Sequence, residues 1–325
     1  MNCLHCGRSL EAIEQAHASG WHTACVKRFF GTNKIPEIDI DKARLDRIIK
    51  ENVGRGFTIP GVQKKLSLHL HSEKGQHRLT IVDYPTGYIL KPQVEEFEAL
   101  PEAEHLVMCM AASVGISTVP NALIKDGNKL AYITKRIDRI FTNEKAGRLG
   151  MEMLGMEDFC QLDLRLTQDK YKGSYERCAK IIDRYSSRKG FDMTELFMRL
   201  VFSFVVGNSD MHLKNFSLIE TSSGSSQYML SPAYDLLPIN IILPEDNEQF
   251  ALTMNGKKTN LRLKDFLLFA DSCGISENAG KNMIGKIVSA QGKFVSMCKE
   301  SYMPVSMQDS FISLLNERIA SLVEE

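Results

Sequence analysis

The sequence has no surplus of charge of either sign, with Lys plus Arg and Asp plus Glu numbering 40 each in 325 residues. That balance excludes a general electrostatic pull towards nucleic acid or an anionic membrane, so no direct DNA binding is expected. No run approaches the roughly 20 consecutive apolar residues of a membrane helix, and the N-terminus lacks the apolar core of a signal peptide. A cytoplasmic protein with no membrane partner is the expectation. The eight cysteines do not form a disulfide framework: three lie near the N-terminus, and five, including Cys109, Cys160 and Cys178, sit in apolar or helical stretches as core-filling thiols. Internal repeats are absent, and the only low-complexity tract is the serine-rich turn at 222–226, so a solenoid is not expected. A hydrophobic content of 43% at this length leaves room for two lobes and a small appendage.

What is present is a constellation of carboxylates and amides. Asp210 is followed by Asn215 in GNSDMHLKNFSLIE, and then by Asp235 in SPAYDLLP. Phosphoryl transfer needs a carboxylate near the attacking hydroxyl, an amide oxygen on one Mg²⁺, and a second carboxylate that bridges metal and ATP phosphates, commonly in that chain order. The apolar run FMRLVFSFVV predicts a buried helix ended by Gly207 and Asn208, and FSLIE and QYMLS predict two short strands. Asp210 and Asn215 then share one loop, and a hairpin carries Asp235 back towards them. Alone, Asp and Asn in loops mostly make turns and caps.

Upstream, Lys91 closes the run GYILKP, where a strand would aim its ammonium inward or at a ligand. A kinase lysine in such a position holds ATP phosphates and is held by a glutamate on the next helix; PEAEHLVMCMAASVGI offers Glu102 and Glu104, of which Glu104 is the better candidate. The plainer reading is a strand-end lysine reaching solvent. TIPGVQKKLSLHL sets Gly61 and two lysines before an alternating strand, a loop whose amides could cradle phosphates.

Cys3, Cys6, His22 and Cys25 spell C-x2-C, fifteen residues, then H-x2-C. The spacing suits tetrahedral, closed, structural Zn²⁺, with one pair on the knuckle LHCG and the other at the start of the helix TACVKRFF. His5 and His17 are alternative ligands. Without metal the segment would be a leader with hardly any core of its own.

The coarse organisation is a knuckle over 1–34, a polar connector and short helix over 35–56, a strand-rich unit over 57–140, and a mostly helical unit over 141–325. The hairpin VPNALIKDGNKLAYITKRI should turn at Asp126 and Gly127. Arg139 to Met156, charged and glycine-bearing, reads as a passage between lobes. From Met156, helical periodicity is read in MEDFCQLDLRL, SYERCAKIIDRYSS, DMTELFMRLVFSFVV, LRLKDFLLFADSCG, ENAGKNMIGKIVSAQGKFVSMCK and SFISLLNERIASLVEE.

Taken in order, TIPGVQKKLSL, YILKP, EAEHLVMCMAASVGI, YITKRIDR, MEDFCQL, FVVGNSDMHLKNFSL and LSPAYDLLP resemble the successive motifs of the HipA-like serine/threonine kinases, the toxins of bacterial toxin–antitoxin operons. They run from about Phe57 to Pro238. The resemblance implies an α+β, two-lobed protein-kinase-like fold with a small β-rich N-lobe and a mostly helical C-lobe, here preceded by the zinc knuckle. It makes Asp210 the catalytic base and Asn215 and Asp235 the Mg²⁺ and phosphate ligands. Pro60, Gly61, Val62, Gln63, Lys64 and Lys65 become the phosphate-covering loop, and Lys91 the ATP lysine. Lys135, Arg136 and Ile137 become the adenine-facing segment, with His212, Lys214 and Tyr234 within the nucleotide site. Thr58 stands where relatives carry an autophosphorylated serine; phosphate there would add nearly two negative charges beside Lys64 and Lys65.

Some positions depart from the family pattern. Met211 replaces a glycine before the loop histidine, Lys64 a frequent acidic or proline residue, and Lys135 an acidic residue of the adenine segment. Pro60 stands where some relatives have a second phosphorylatable serine, which puts two-site control in doubt. The strings H-R-D and D-F-G are absent. Only 56 residues precede Phe57, whereas full-length members usually carry about a hundred. The resemblance therefore implies a partner equivalent to that leading domain and a helix-turn-helix antitoxin or repressor. The leading reading is an Mg-ATP-dependent protein kinase toxin; family members attack aminoacyl-tRNA synthetases. The alternatives are a nucleotide-binding pseudokinase scaffold for an antitoxin or repressor complex, and a small-molecule phosphotransferase with the same constellation.

Overall fold

The computed structural model describes residues 2–10, 20–38, 65–73, 75–81, 86–145 and 148–323. Thr58 and Pro60 to Lys64 lie outside them, as do His17 and most of the expected connector helix. The chain folds as two compact units: Met1–His105 with Pro120–Ile137 and Glu300–Tyr302, and Leu106–Val119 with Asp138–Lys299 and Met303–Glu325.

The first unit is built on a sheet. Helix α1 (Thr23–Phe30) ends at Gly31, whose left-handed backbone (φ 73°) lets its N–H close on the Lys27 carbonyl, a glycine C-cap. Strands β1 (Glu37–Ile38), β2 (Leu66–Glu73), β3 (Gln76–Thr80), β4 (Tyr88–Lys91), β5 (Asn121–Asp126) and β6 (Lys129–Lys135) form a sheet ordered β1-β3-β2-β4-β6-β5. The β5–β6 hairpin turns between Asp126 and Lys129, with Gly127 at φ 60°. IPEI, read as polar connector, contributes β1 instead, pairing parallel with Arg78 and Leu79 of β3. Alternation buries Leu66, Leu68, Leu79 and Leu90 in one core. That core continues through Cys3, Leu4, Trp21, Cys25, Val26, Phe29 and Phe30, so the N-terminal knuckle residues and the sheet share their apolar interior. Helix α2 (Leu100–Ser113) belongs to this unit as far as His105.

In the second unit, most of the segment Arg139 to Met156, read as a passage between lobes, has regular structure. It pairs as the antiparallel ribbon β7 (Arg139–Lys145) and β8 (Arg148–Met153). MEDFCQLDLRL is likewise not one helix: Met156–Asp158 forms β9 and only Phe159–Leu162 is helical, as α3. The reason is local, because Asp158 accepts the Gln161 N–H and Gln161 reciprocates in a capping box, fixing the helix start at that point. Helices α4 (Tyr175–Tyr185) and α5 (Lys189–Val205) follow. Strands β10 (Ser217–Glu220) and β11 (Tyr228–Leu230) complete a sheet ordered β11-β10-β9, with the serine-rich turn between them. Helices α6 (Ile239–Ile242), α7 (Leu263–Ser272), α8 (Glu277–Val288), α9 (Gln291–Lys299) and α10 (Val305–Val323) finish the unit. The segment read as one long helix breaks between Val288 and Gln291, where Ser289 and Ala290 close on upstream carbonyls.

Helix α5 is more than an apolar core element. Asp192, Glu195 and Arg199 lie at i, i+3 and i+7, on one face, and all three are buried. Asp192 accepts the Leu230 N–H at 2.7 Å and the Ser186 hydroxyl at 2.6 Å. Glu195 accepts the Ser117 N–H and the Arg199 guanidinium, each at 3.0 Å, and Arg199 donates to the Ser231 carbonyl at 2.6 Å. Asp192 and Arg199 thus satisfy backbone groups of the segment that leads to Asp235, and Glu195 one of the segment after α2, as buried polar groups must.

Candidate active site

The loop after α5 begins with a turn that only glycine fits. Gly207 has φ 67°, and a Cβ there would collide with the Leu314 side chain and crowd Asn240. Beyond it the chain tightens: the His212 N–H donates to the Asp210 carbonyl at 2.8 Å, and the Asn215 N–H to the His212 carbonyl at 2.9 Å. The Asn215 side-chain NH₂ donates to the same Asp210 carbonyl at 3.2 Å, which leaves the amide oxygen as the ligand end of that side chain. Asp210 and Asn215 are therefore locked to one another by backbone geometry.

The Asp210 carboxylate is about one-quarter exposed. Burial is the main cause that lifts its carboxyl from 3.8 to about 6; the hydrogen bond from Tyr171 and the charge of Lys170 pull it down, while Asp235 and Asp246 push it up. The Tyr171 hydroxyl donates to Asp210 Oδ1 at 2.8 Å, its ring meets His212 edge-on at 5.1 Å between centroids, and burial pushes its own phenol up. His212 Nε2 stands 4.0 Å from Asp210 Oδ2. A carboxylate tuned close to neutrality, held by one donor and partly open to solvent, suits a general base.

Asp235 follows β11 in the chain. The Ala233 N–H donates to the Ser117 carbonyl at 2.7 Å, and the Val119 N–H to the Ala233 carbonyl at 3.0 Å. Tyr234 is fixed by its hydroxyl, which donates to the Lys214 carbonyl at 3.0 Å and shares a 2.6 Å bond with Ser217. Asp235 then adopts φ 55°, a left-handed conformation that a non-glycine residue keeps only where its surroundings over-determine it. Lys214 does not stand open for phosphate: its ammonium donates to Asp158 at 2.6 Å.

In the first unit, Lys91 Nζ lies 2.5 Å from Glu104 Oε1, with side chains 3% and 0% exposed, and 5.1 Å from the centre of the Tyr132 ring. Glu104, not Glu102, is the partner. Lys135 is partly buried, which lowers its ammonium, and its Nζ sits 5.6 Å from the Phe29 ring centre. The Arg136 N–H donates to the Gly87 carbonyl.

Also in the first unit, Cys3, Cys6, His22 and Cys25 bring one ligand atom each within 4.8 Å of one another. His22 Nδ1 is 3.5 Å from Cys6 Sγ and 3.8 Å from Cys25 Sγ. A tetrahedral zinc with ordinary Zn–S and Zn–N bonds has ligand edges of about 3.5–3.8 Å. His22 Nε2 is 3.1 Å from the Ser9 carbonyl, a contact that places the proton on Nε2 and frees Nδ1 as the ligand atom. Burial raises the Cys25 thiol. Burial also opposes ionisation of Cys6, but hydrogen bonds from the Arg8 backbone and side chain bring that thiol down to about 7. His5 is not part of the cluster; it stacks on Trp21 at 5.4 Å, and burial lowers its imidazole to about 4.

Residues 57–294 match the model of the HipA-like C-terminal domain. The chain belongs to the HipA-like family. A Haemophilus influenzae protein named "Putative kinase" is 26% identical over 96% of this chain and 94% of its own length. Two Sinorhizobium fredii proteins with the same designation, Y4mE and Y4dM, are 26% and 31% identical over 82% and 68% of this chain. This chain spans only 63% and 54% of those two relatives. Among solved structures, a chain of the Shewanella oneidensis HipA, HipB and operator DNA complex matches with TM-score 0.69 at 17% identity, covering 86% of this chain and 71% of that one. The Helicobacter pylori proinflammatory kinase CtkA matches with TM-score 0.52 at 16% identity, over 79% and 94%. The mixed α+β fold is therefore that of HipA and CtkA, and among the described residues no helix is long and apolar enough to cross a membrane.

Tyr171, Lys170, Asp158 and Asp246 were not singled out from the sequence. Tyr171 lies 39 residues before Asp210, and no periodicity or spacing links the two. The paired i, i+3, i+7 charges of α5 were legible in principle, since charge inside an apolar helix signals a buried network.

Proposed function

We propose that the chain is an Mg-ATP-dependent serine/threonine protein kinase that acts as the toxin of a toxin–antitoxin pair. The observation that carries this reading is the Asp210–Asn215 loop, in which a carboxyl lifted to about 6 is tied to an amide whose oxygen is left as a ligand. Residues 57–140 and 141–325 would be the small and large lobes.

In this reading Asp210 accepts the proton of a substrate serine or threonine hydroxyl as that oxygen attacks the terminal phosphorus. Tyr171 holds the carboxylate in place by donating to Oδ1. Asn215 and Asp235 offer the hard oxygen ligands that Mg²⁺ takes, and the family's nucleotide, when bound, supplies the phosphoryl group. Lys91, oriented by Glu104, offers its ammonium to phosphate oxygens. Lys135 to Ile137 face adenine, and His212, Lys214 and Tyr234 shape the surrounding loop; Lys214 does so through Asp158. Pro60 to Lys65 cover the phosphates, and Thr58 is the autophosphorylation site. Zn²⁺ at Cys3, Cys6, His22 and Cys25 is structural. The partners are a protein substrate, of the aminoacyl-tRNA synthetase class in this family, a helix-turn-helix antitoxin, and a small protein equivalent to the family's leading domain. The matched complex of HipA with HipB and operator DNA supports the antitoxin.

The test is peptide mass spectrometry after incubation with Mg-ATP, comparing the natural sequence with Asp210→Ala. Phosphate that depends on Asp210 is expected, on Thr58 in the first instance. Nucleotide binding without phosphate on the chain or on any offered protein would replace the kinase with a scaffold.

A further inference from the structure

The Cys/His cluster is not isolated from the rest of its unit. The Leu123 N–H of β5 donates to the Leu4 carbonyl at 2.7 Å, and the Trp21 indole N–H donates to the Leu123 carbonyl at 3.1 Å. Leu4 follows one cysteine ligand directly, and Trp21 precedes the histidine ligand. The strand edge at Leu123 is thus completed by the two ligand-bearing segments, which satisfy both of its backbone groups. From the helix that carries Cys25, the Phe29 carbonyl accepts the Tyr88 hydroxyl at 3.4 Å, and the Phe29 and Phe30 rings pack on Tyr88 at 6.0 and 5.6 Å. Tyr88 opens the strand that ends in Lys91. The same Phe29 ring lies under the Lys135 ammonium. On the far side, Asn2 donates to the Glu300 carbonyl at 3.0 Å and accepts the Tyr302 hydroxyl.

These contacts form a short path. Leu123 faces Tyr132 across the β5–β6 pair, and Tyr132 faces Lys91 across β6–β4. The Lys91 ammonium in turn lies over the Tyr132 ring. The segments that make these contacts are short: among the described residues, 2–10 and 20–31 supply one eight-residue helix, an isolated bridge between Asn2 and Ser9, and the bonds of the Gly7, Cys3 and Leu4 N–H groups to the Cys3, Arg8 and Gly20 carbonyls. A segment of that size does not hold its shape on so few backbone bonds, and metal ligation is the usual source of the missing free energy.

We infer that one zinc ion at Cys3, Cys6, His22 and Cys25 braces the Lys91 strand and the Lys135–Ile137 segment through Leu123, Tyr88 and Phe29, so that nucleotide affinity depends on metal occupancy. The inference rests on the nucleotide roles given above for Lys91 and Lys135. By linkage, an ion that binds only the folded knuckle stabilises whatever the knuckle supports, and nucleotide bound to that support must in turn tighten the metal. Asp210 and its loop belong to the other unit and have no part in this path.

The test uses the full-length purified protein and Zn²⁺ alone as the probe. Elemental analysis is expected to give one zinc per chain, and exchange with Co²⁺ is expected to give the intense visible bands of a tetrahedral thiolate site. Chelation should speed amide hydrogen exchange in β4, β5 and β6 at least tenfold while leaving β10 and β11 unchanged. It should weaken ADP binding at least tenfold, and added Zn²⁺ should restore both. Cys6→Ser, at the half-buried edge of the cluster, should reproduce the exchange pattern while the second unit stays folded. Absence of stoichiometric metal overturns the inference, as does unchanged exchange in β4–β6 after complete removal, or equal loosening of both units. If the zinc-loaded protein binds no nucleotide at all, the kinase reading fails; the exchange experiment still decides whether metal braces the strands.

Discussion

The two units hold their principal charges in opposite ways. In the first, Lys91 and Glu104 neutralise one another inside the protein, with side chains 3% and 0% exposed. In the second, Asp210 is about one-quarter exposed, and burial, with Asp235 and Asp246 as smaller contributors, pushes its carboxyl up. A buried, paired charge is a fixture, since each partner is costly without the other. A carboxylate beside other carboxylates is a site that waits for a proton or a cation. In the proposed kinase, that contrast would separate what positions a phosphate from what carries out chemistry on it.

The largest expected effect is on the second side of that contrast. Asp210→Asn should lower the turnover number by about a thousandfold, within the usual range for loss of a general base. Nucleotide affinity should change by less than about threefold, measured by ADP calorimetry. An equal loss in both would mean that Asp210 binds rather than reacts.

Lys91→Ala should give the reverse pattern. Nucleotide affinity should fall, and the chain should lose about 3–5 kcal/mol of stability because Glu104 is left buried without its cation. Denaturant unfolding of Lys91→Ala, Glu104→Gln and the double variant separates the two effects: the double variant should recover part of the stability but none of the affinity. If Lys91→Ala unfolds no more readily than the natural protein, the pair is not the fixture described here.

Asn215→Ala should sit between these extremes. It leaves both Asp210 and the Lys91 pair in place and removes one proposed metal ligand, so the Mg²⁺ concentration for half-maximal transfer should rise by about tenfold, in line with the loss of one liganding oxygen. A titration of rate against Mg²⁺ at saturating nucleotide reads this directly, and an unchanged midpoint would remove Asn215 from the metal site.

How much of this was legible in the sequence depends on whether the signal was local. The strand–lysine–helix succession of GYILKP and PEAEHLVMCMAASVGI located Lys91 and Glu104, because a strand end and a helix first turn each leave a pattern. The Asp210–Asn215 loop was legible because Gly207 and the apolar run before it mark where a helix must stop. The β7–β8 ribbon was missed, since charge and glycine mark a loop and a two-stranded ribbon equally well. β9 was missed because MED leads into FCQL without a breaker, and only the Asp158 cap separates them. Ligand spacing disclosed the Cys/His cluster, but nothing in it tells that Leu4 and Trp21 complete the Leu123 edge. Tyr171 left no trace, since a contact over 39 residues has no local signature.

Tyr171 also gives the smallest and most discriminating prediction. With Asp210 lifted to about 6, the transfer rate should rise with pH along a limb centred near 6, as the carboxyl loses its proton. The Tyr171 hydroxyl donates to the charged form and so lowers that midpoint. Tyr171→Phe removes the donor, and the limb should move to higher pH by about half a unit to one unit, the value of a hydrogen bond to a charged group in a partly wet site. Rate at pH 8 should change little. The stability effect has a definite sign. The folded-state carboxyl titrates above its usual 3.8, so the protonated form favours the fold. That advantage is complete below 3.8 and is lost as pH rises through 6. Asp210→Asn, which stays neutral, should therefore melt higher than the natural protein at pH 8 and equal to it at pH 3.5. A limb that Tyr171→Phe leaves in place or shifts to lower pH would show that Tyr171 merely fills space beside Asp210, and a melting difference that is the same at both pH values would show that the Asp210 carboxyl is not lifted in the fold.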